Sequence, residues 1–238
     1  MISTGAKPAS AAPERSATVT ADVSIPVVLY HVVTTNPTGR YQHDLAKFTA
    51  EMAYLHDNGY TPLSADEYHS VMTSRTAPPA KPILLTFDDS TADFASNVVP
   101  VLQRYGFPSI QFAVSDWVDT AGHLTSAQLA TLSNQRVAIE NHTKDHQDLS
   151  TQTYDQAYAS IVACDTFITA VTGRKPTFLA YPYGRTDADA QAAARAAGVT
   201  MAFTVASGKT TPADNFLALN RILITSSDTV DTFAKKIG

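Results

Sequence analysis

From residue 25 onward, short apolar runs alternate with stretches whose apolar residues recur at helical spacing. Ile25-Pro26-Val27-Val28-Leu29-Tyr30 predicts a buried strand, and Leu45, Phe48, Met52 and Leu55 predict a helix that Gly59 stops. Ser64-Ala65-Asp66-Glu67 reads as a capping box opening a helix to about Ser74. A second buried strand follows at 82–87, then a helix over 92–105 ended by Gly106. The pattern repeats with a strand at 109–114, a helix from Thr125 with its own capping box to Gln128, a strand at 136–140 and a longer helix at 153–171. A strand at 177–180, an Ala-rich helix at 187–197 closed by Gly198, and strands at 201–205 and 219–224 complete it. Such alternation predicts an α/β fold with a largely parallel sheet, either an open doubly wound sheet or a closed barrel. No composition break marks a second domain, and no internal repeat is visible.

Residues 1–22 are rich in Ala, Ser, Thr and Pro and carry almost no large apolar side chain, too few to offset the entropy of ordering. They are expected to form a disordered tether ahead of a domain at 23–238. A tether of this kind often follows a removed signal peptide, which makes an extracellular or cell-surface location the expectation. A disordered tail on a cytoplasmic protein is the alternative. The balance of 17 basic against 22 acidic residues gives a net charge of −5, and no Lys/Arg cluster offers the footprint that a phosphate backbone requires. Nucleic acid is excluded as a partner on that ground. The lone cysteine, Cys164, excludes an internal disulfide and any Cys-rich metal site, so a metal must come through histidine and carboxylate. No apolar run approaches the ~20 residues of a membrane span. The oligomeric state stays open.

Four polar clusters interrupt the pattern, each directly after a predicted strand: Tyr30-His31, Asp88-Asp89, His142 with His146, and Tyr181-Pro182-Tyr183-Gly184. All are expected at the rim where parallel strands end, the face that carries active sites in such folds. Adjacent carboxylates at Asp88-Asp89 repel each other unless a cation or proton lies between them; a turn starter is the alternative. His142 and His146, four apart, fall on one face of a helical turn, and two histidines with a carboxylate make a divalent-metal set. A surface pair is the alternative. The Pro-constrained turn closing on Gly184 can aim backbone N–H groups into a site, or be an ordinary loop. His31 alone reads as a satisfied structural residue or as an acid. His43, His56, His69 and His123 are given structural readings, and Trp117 beside Asp116 is a weak pointer to a sugar groove. Segments 34–42 and 209–216 are expected to line the groove.

Thr86-Phe87-Asp88-Asp89, His142-Thr143-x-x-His146 and Tyr181-Pro182-Tyr183-Gly184, in this order and spacing, resemble the polysaccharide deacetylases, the NodB-homology domain of carbohydrate esterase family 4. The resemblance implies a single-domain distorted (β/α) barrel of the NodB-homology type and a zinc-type metal on Asp89, His142 and His146, with Co2+, Ni2+ or Mn2+ as alternatives. It further implies Asp88 as catalytic base and the Tyr183 backbone N–H in an oxyanion hole, with Tyr181, Pro182 and Leu223 beside the substrate. The usual Arg ahead of the Pro-Tyr-Gly loop is missing, the late Leu-x-His motif has no histidine within Leu-Asn-Arg-Ile-Leu-Ile-Thr-Ser, and the late Asp-Trp motif is not recognisable. Pro26-Val27-Val28-Leu29-Tyr30-His31 resembles an early segment of the poly-N-acetylglucosamine deacetylases, which look circularly permuted. On that comparison His31 is the general acid, and Arg221 supplies the missing guanidinium near Asp88 or forms an outward salt bridge.

The implied activity is metal-dependent removal of N-acetyl groups from a glucosamine-containing extracellular polysaccharide, such as poly-N-acetylglucosamine, peptidoglycan or a chitin-like polymer, with release of acetate. An acid and a base on opposite sides of the scissile bond predict a bell-shaped pH profile. O-acetyl xylan on the same site, and a polysaccharide-binding protein that has lost turnover, are the alternatives. A two-histidine, one-carboxylate iron oxygenase fits the ligands but leaves Asp88 and the Tyr-Pro-Tyr-Gly loop without roles. No Gly-rich phosphate loop follows any strand, so no nucleotide cofactor is expected.

Overall fold

The alternation closes into a ring. The computed structural model describes residues 23–73 and 75–238, so the predicted tether and Ser74 lie outside the described residues. The ring strands are β1 (Val27–Tyr30), β5 (Pro82–Phe87), β6 (Ser109–Ala113), β7 (Val137–Asn141), β8 (Phe178–Ala180), β9 (Met201–Ser207) and β10 (Leu219–Leu223). They run parallel in the order β1-β10-β9-β8-β7-β6-β5, and β1 pairs again with β5 from Val27↔Leu84 to Tyr30↔Phe87. That last pairing decides for a barrel over an open sheet. The barrel is distorted: β7 and β8 share one paired position, Asn141↔Leu179, and β9 slips register against β10 between Leu219 and Arg221. Where β8 starts late, the buried Glu140 carboxylate accepts the N–H groups of Thr177 and Phe178, both at 2.8 Å, in place of a ladder partner. Burial pushes Glu140 up to about 8 even against those donors.

Alternate strand residues face opposite ways, which divides the core. Val27, Leu84, Ile110, Phe112, Phe178 and Phe203 pack together inside the barrel, closed at the amino-terminal mouth by Tyr68 of α2 (Ala65–Met72). Val28, Leu85 and Ile139 pack outward against α1 (Leu45–Asp57), α3 (Val99–Tyr105), α4 (Ser126–Leu132) and α5 (Tyr154–Thr172). Leu179 and Ala202 meet the alanine face of α6 (Ala188–Ala197). Each fully buried Leu or Phe of these layers contributes about 1.5–3 kcal/mol.

The expected capping boxes are present at Ser64 and Thr125, and Gly106 and Gly198 close their helices in the left-handed region. The helix expected over 92–105 is instead a π-helical turn, Phe94–Val98, continued by α3; Pro100 has no N–H to give, and the ladder widens ahead of it. Three short strands, β2 (Val32–Thr34), β3 (Gln42–Asp44) and β4 (Thr61–Pro62), and the C-terminal α7 (Val230–Ile237) add to the predicted set. β2 and β3 pair with each other beside the carboxyl end of β1. Segment 209–216 departs from expectation beyond its first residue: Lys209 lines a cleft after the end of β9, but Thr210 exchanges backbone hydrogen bonds with Ile25, ahead of β1, and takes the chain toward the mouth opposite the strand ends.

Candidate active site

At the end of β5 the Asp88 backbone N–H donates to the Tyr30 carbonyl at 3.1 Å, and the chain then enters the left-handed region at Asp89 (φ 73°) and Ser90 (φ 49°). This turn sends the adjacent carboxylates to different partners. Asp88 is 3% exposed and receives both arms of the Arg221 guanidinium, Nη1 to Oδ1 and Nη2 to Oδ2, each at 2.8 Å. Arg221 is the largest fully buried side chain; its Nε donates to the Thr204 carbonyl at 2.9 Å and its guanidinium lies 5.7 Å from the Phe112 ring centroid. It points into the barrel, not outward to a surface salt bridge. Burial alone would raise the Asp88 carboxyl, but Arg221 and His142 outweigh it and hold it below the usual carboxylate range. The guanidinium missing ahead of the Pro-Tyr-Gly loop is thus provided from β10.

Asp89 goes the other way. Its Oδ1 lies 3.5 Å from His142 Nε2 and 3.5 Å from His146 Nε2, and one ligand atom from each of the three residues falls within 4.8 Å of the others. Burial works to raise Asp89, and the three site histidines hold it down at about 2. His142 Nδ1 donates to the Ala180 carbonyl at 2.7 Å, which fixes the ring tautomer and leaves the Nε2 lone pair facing Asp89. Asp89 Oδ1 is buried without a hydrogen-bond donor. Two imidazole nitrogens and an orphaned carboxylate oxygen fit a divalent cation of the zinc, cobalt, nickel or manganese kind.

The two histidines do not share a helical turn, as their spacing led one to expect. Thr143 (φ 70°) and His146 (φ 55°) are both left-handed, and the loop is tied by Asn141 Oδ1 accepting the Thr143 N–H at 2.6 Å and Thr143 Oγ1 accepting the His146 N–H at 3.1 Å. Tyr183, in the three-residue helical turn Pro182–Gly184, has φ 58°, so five of the eight described non-glycine residues with positive φ belong to these loops. Each costs of order 1 kcal/mol or more, and such strain concentrates at functional sites. Gly184 cannot be replaced without strain: its φ is 68° and a β-carbon would collide with Val205.

The remaining predicted residues divide. Tyr183 is 58% exposed and its ring meets His146 edge-on at 4.8 Å, while the bonds of its turn run from the Gly184 N–H to Tyr181 and from Arg185 to Pro182, leaving the Tyr183 N–H out of them. Tyr181 and Pro182 lie behind the loop surface. Both are buried, and the Tyr181 hydroxyl donates to the Leu217 carbonyl from within the α6 cluster, so they brace the loop from behind. Leu223 ends β10 on the wall of an open cleft beside the site. Burial lowers His31 from its ordinary value, with Asp88 and Asp89 pulling it back, and its buried Nδ1 has no partner. Tyr41, from segment 34–42, lies 5.0 Å from the His31 ring. Asp145 accepts from Ser160 and Asp148 from Ser150 and Arg185; neither joins the three-residue cluster. Trp117, read as a weak pointer, stacks on His146 at 4.9 Å. It follows β6 closely, so the strand-end rule that picked the other clusters would have found it.

Residues 75–202, more than half of the chain, match the polysaccharide deacetylase family. The chain belongs to that family. YxkH of Bacillus subtilis is 28% identical over 200 residues, 84% of this chain and 71% of its own length. The poly-beta-1,6-N-acetyl-D-glucosamine N-deacetylase of Staphylococcus aureus is 22% identical over 227 residues, covering 87% of this chain and 76% of that one. Among solved structures, the Streptococcus pyogenes deacetylase PplD superposes with a TM-score of 0.87 at 22% identity over 92% of this chain and all of its own. The Bacillus cereus polysaccharide deacetylase BC0361 superposes at 0.82 and 25% identity, over 91% of this chain and 70% of its own. As a polysaccharide deacetylase this chain has its Asp-Asp, His-x-x-x-His and Pro-Tyr-Gly segments inside the matched span, whereas His31 and Arg221 lie outside it.

Proposed function

We propose that residues 23–238 form a catalytic domain that hydrolyses N-acetyl groups of a glucosamine-containing extracellular polysaccharide, releasing acetate. The observation that carries this reading is the convergence of Asp89, His142 and His146 beside an Asp88 carboxylate locked by Arg221. The polymer for which the staphylococcal relative is named supports an N-acetylhexosamine. No described helix is long and apolar enough to cross a membrane.

Asp89, His142 and His146 would hold the divalent cation, which when bound supplies Lewis acidity toward the acetyl carbonyl and makes water a better nucleophile near neutral pH. Asp88, kept ionised by Arg221, accepts the proton of the attacking water. Both Asp88 oxygens are engaged by the guanidinium, which fixes the carboxylate plane and leaves a remaining lone pair for that proton. As the water oxygen bonds to the acetyl carbon, the backbone N–H of Tyr183 donates to the developing oxyanion. Protonated His31 gives its proton to the departing nitrogen, the C–N bond breaks, and acetate and a free amine leave. Loss of the His31 proton closes the alkaline side of the activity profile and protonation of Asp88 closes the acid side.

Acetate release from N-acetylglucosamine oligomers and from O-acetyl xylan, run with Asp88→Asn and His31→Ala, tests the reading. Release from the N-acetyl oligomers that both variants abolish supports it. Release from xylan alone, or none from any acetylated polymer, overturns it.

A further inference from the structure

On the same rim, an open cleft of about 500 Å³ lies between the carboxyl ends of β9 and β10 and the β2–β3 excursion, with Val205, Ser207 and Leu223 on its walls. Two contacts join it to the catalytic pocket. Arg40 precedes Tyr41, whose ring lies against His31, and Val205 packs against Gly184 of the Tyr-Pro-Tyr-Gly loop.

Every charged side chain lining this cleft is basic: Arg40, Lys209 and Lys236. That is unexpected in a chain with 22 acidic and 17 basic residues. Lys236 is ion-paired with Asp228 at 2.7 Å, and Lys209 donates to the Gly238 carbonyl oxygen at 2.5 Å. Arg40 lies 5.7 Å over the Tyr41 ring, and among the described residues no carboxylate pairs with it. With Asp228 set against Lys236 and the Gly238 oxygen against Lys209, Arg40 remains, among the described residues, as the cleft's unpartnered cation. The opposite arm of the rim is different, with Trp117 and Tyr183 on either side of His146 and a neutral aromatic surface suited to a sugar ring.

We propose that this cleft is a subsite for an oxyanion carried by the sugar next to the one being deacetylated, a carboxylate or a phosphodiester. The proposal rests on the deacetylase reading and narrows its substrate to an N-acetylhexosamine polymer with acidic neighbours. A polymer of N-acetylglucosamine alone becomes cationic as it is deacetylated, and a basic arm repels that product. An anionic neighbour is attracted instead, and Arg40 can meet it with a forked pair of hydrogen bonds.

The test compares kcat/KM for three oligomers: neutral N-acetylglucosamine, N-acetylglucosamine alternating with glucuronate, and N-acetylglucosamine joined through phosphodiesters. Wild type is expected to favour at least one anionic oligomer roughly tenfold over the neutral one, through KM, and the preferred oligomer identifies the source of the charge. The preference should collapse in about 0.5 M salt. An Arg40→Gln/Lys209→Gln double variant should lower the anionic-to-neutral ratio about tenfold, whereas Lys235→Gln, on α7 but outside the cleft, should not move it. Equal kcat/KM for all three oligomers, or a ratio the double variant leaves intact, overturns the subsite while the deacetylase reading stands. If no oligomer releases acetate, equilibrium binding of a glucuronate oligomer free of acetyl groups decides. Binding that the double variant loses supports the subsite, and no binding, or binding it retains, overturns it.

Discussion

Tyr30 and His31 are consecutive, yet they belong to two buried polar clusters built from the same residue types. In the first, the Tyr30 hydroxyl donates to Glu51 Oε2 at 2.7 Å, His43 Nε2 meets Glu51 Oε1 at 3.0 Å, and His43 Nδ1 donates to the Thr225 carbonyl at 2.9 Å. Because Nδ1 carries a proton for that carbonyl, His43 and Glu51 share one further proton between them, and every polar atom is satisfied. In the second, Asp89 Oδ1 and His31 Nδ1 are buried with no partner, and the backbone at Asp89, Thr143, His146 and Tyr183 is left-handed. Imidazole and carboxylate in close company do not by themselves mark a site. Open valences held on strained backbone do.

The largest expected effect that sharpens this contrast is on the base. Asp88→Asn should cut kcat/KM by about 10³-fold or more, measured as acetate release, while circular dichroism shows the fold retained. In the satisfied cluster the effect should move to stability. Glu51→Leu strands the His43 ring and the Tyr30 hydroxyl in the core and should cost about 3 kcal/mol in denaturant unfolding, with kcat changed less than tenfold. The open cluster should do the reverse: Asp89→Ala should abolish activity, and in chelated protein it should cost less stability than Glu51→Leu, because losing the attraction of the site histidines is offset by removing an unpaired buried oxygen. An Asp89→Ala protein destabilised as much as Glu51→Leu, or one that keeps activity, would break the comparison.

The smallest effect is pH-linked. Asp228, which accepts from the Thr225 N–H and from Lys236, is raised by burial but held below its ordinary value by those donors. A carboxyl lowered in the folded state adds stability that is complete above its unfolded pKa and is lost as pH falls through the folded one. Asp228→Asn should therefore lower the unfolding midpoint at neutral pH, and the gap to wild type should narrow on acidification below the usual carboxylate range. A gap that widens there contradicts the pairing.

Much of this was legible in the sequence because it depends on local rules. The buried runs at 82–87 and 109–114 became strands, the Ser64 and Thr125 boxes capped helices, and the strand-end clusters met at one rim. Closure of the barrel was implied by the family resemblance and not by the local pattern, which left an open sheet possible, since nothing local says that β1 returns to β5. The geometry of His142 and His146 was missed because the positive φ at Thr143 and His146 is imposed by Asn141 and Thr143 side chains, not by a helical period. The place of the Tyr181 ring was not legible, because its motif neighbours reach the site while the ring itself packs into the α6 cluster. His43 and Glu51 lie on neighbouring elements, β3 and α1, and only the fold turns them toward Tyr30. The period of Val230, Phe233 and Ile237 in α7 was readable after Thr229, whereas three-residue strands such as β2 carry too little pattern to detect.

The most direct test strips the protein with a chelator and titrates zinc back while following bound metal and acetate release from an N-acetylglucosamine oligomer together. The account predicts one metal per chain, release that rises in step with occupancy, and an Asp88→Asn protein that binds the metal but releases no acetate. Full release from the stripped protein, or stoichiometric metal with no release from the wild type, would contradict it.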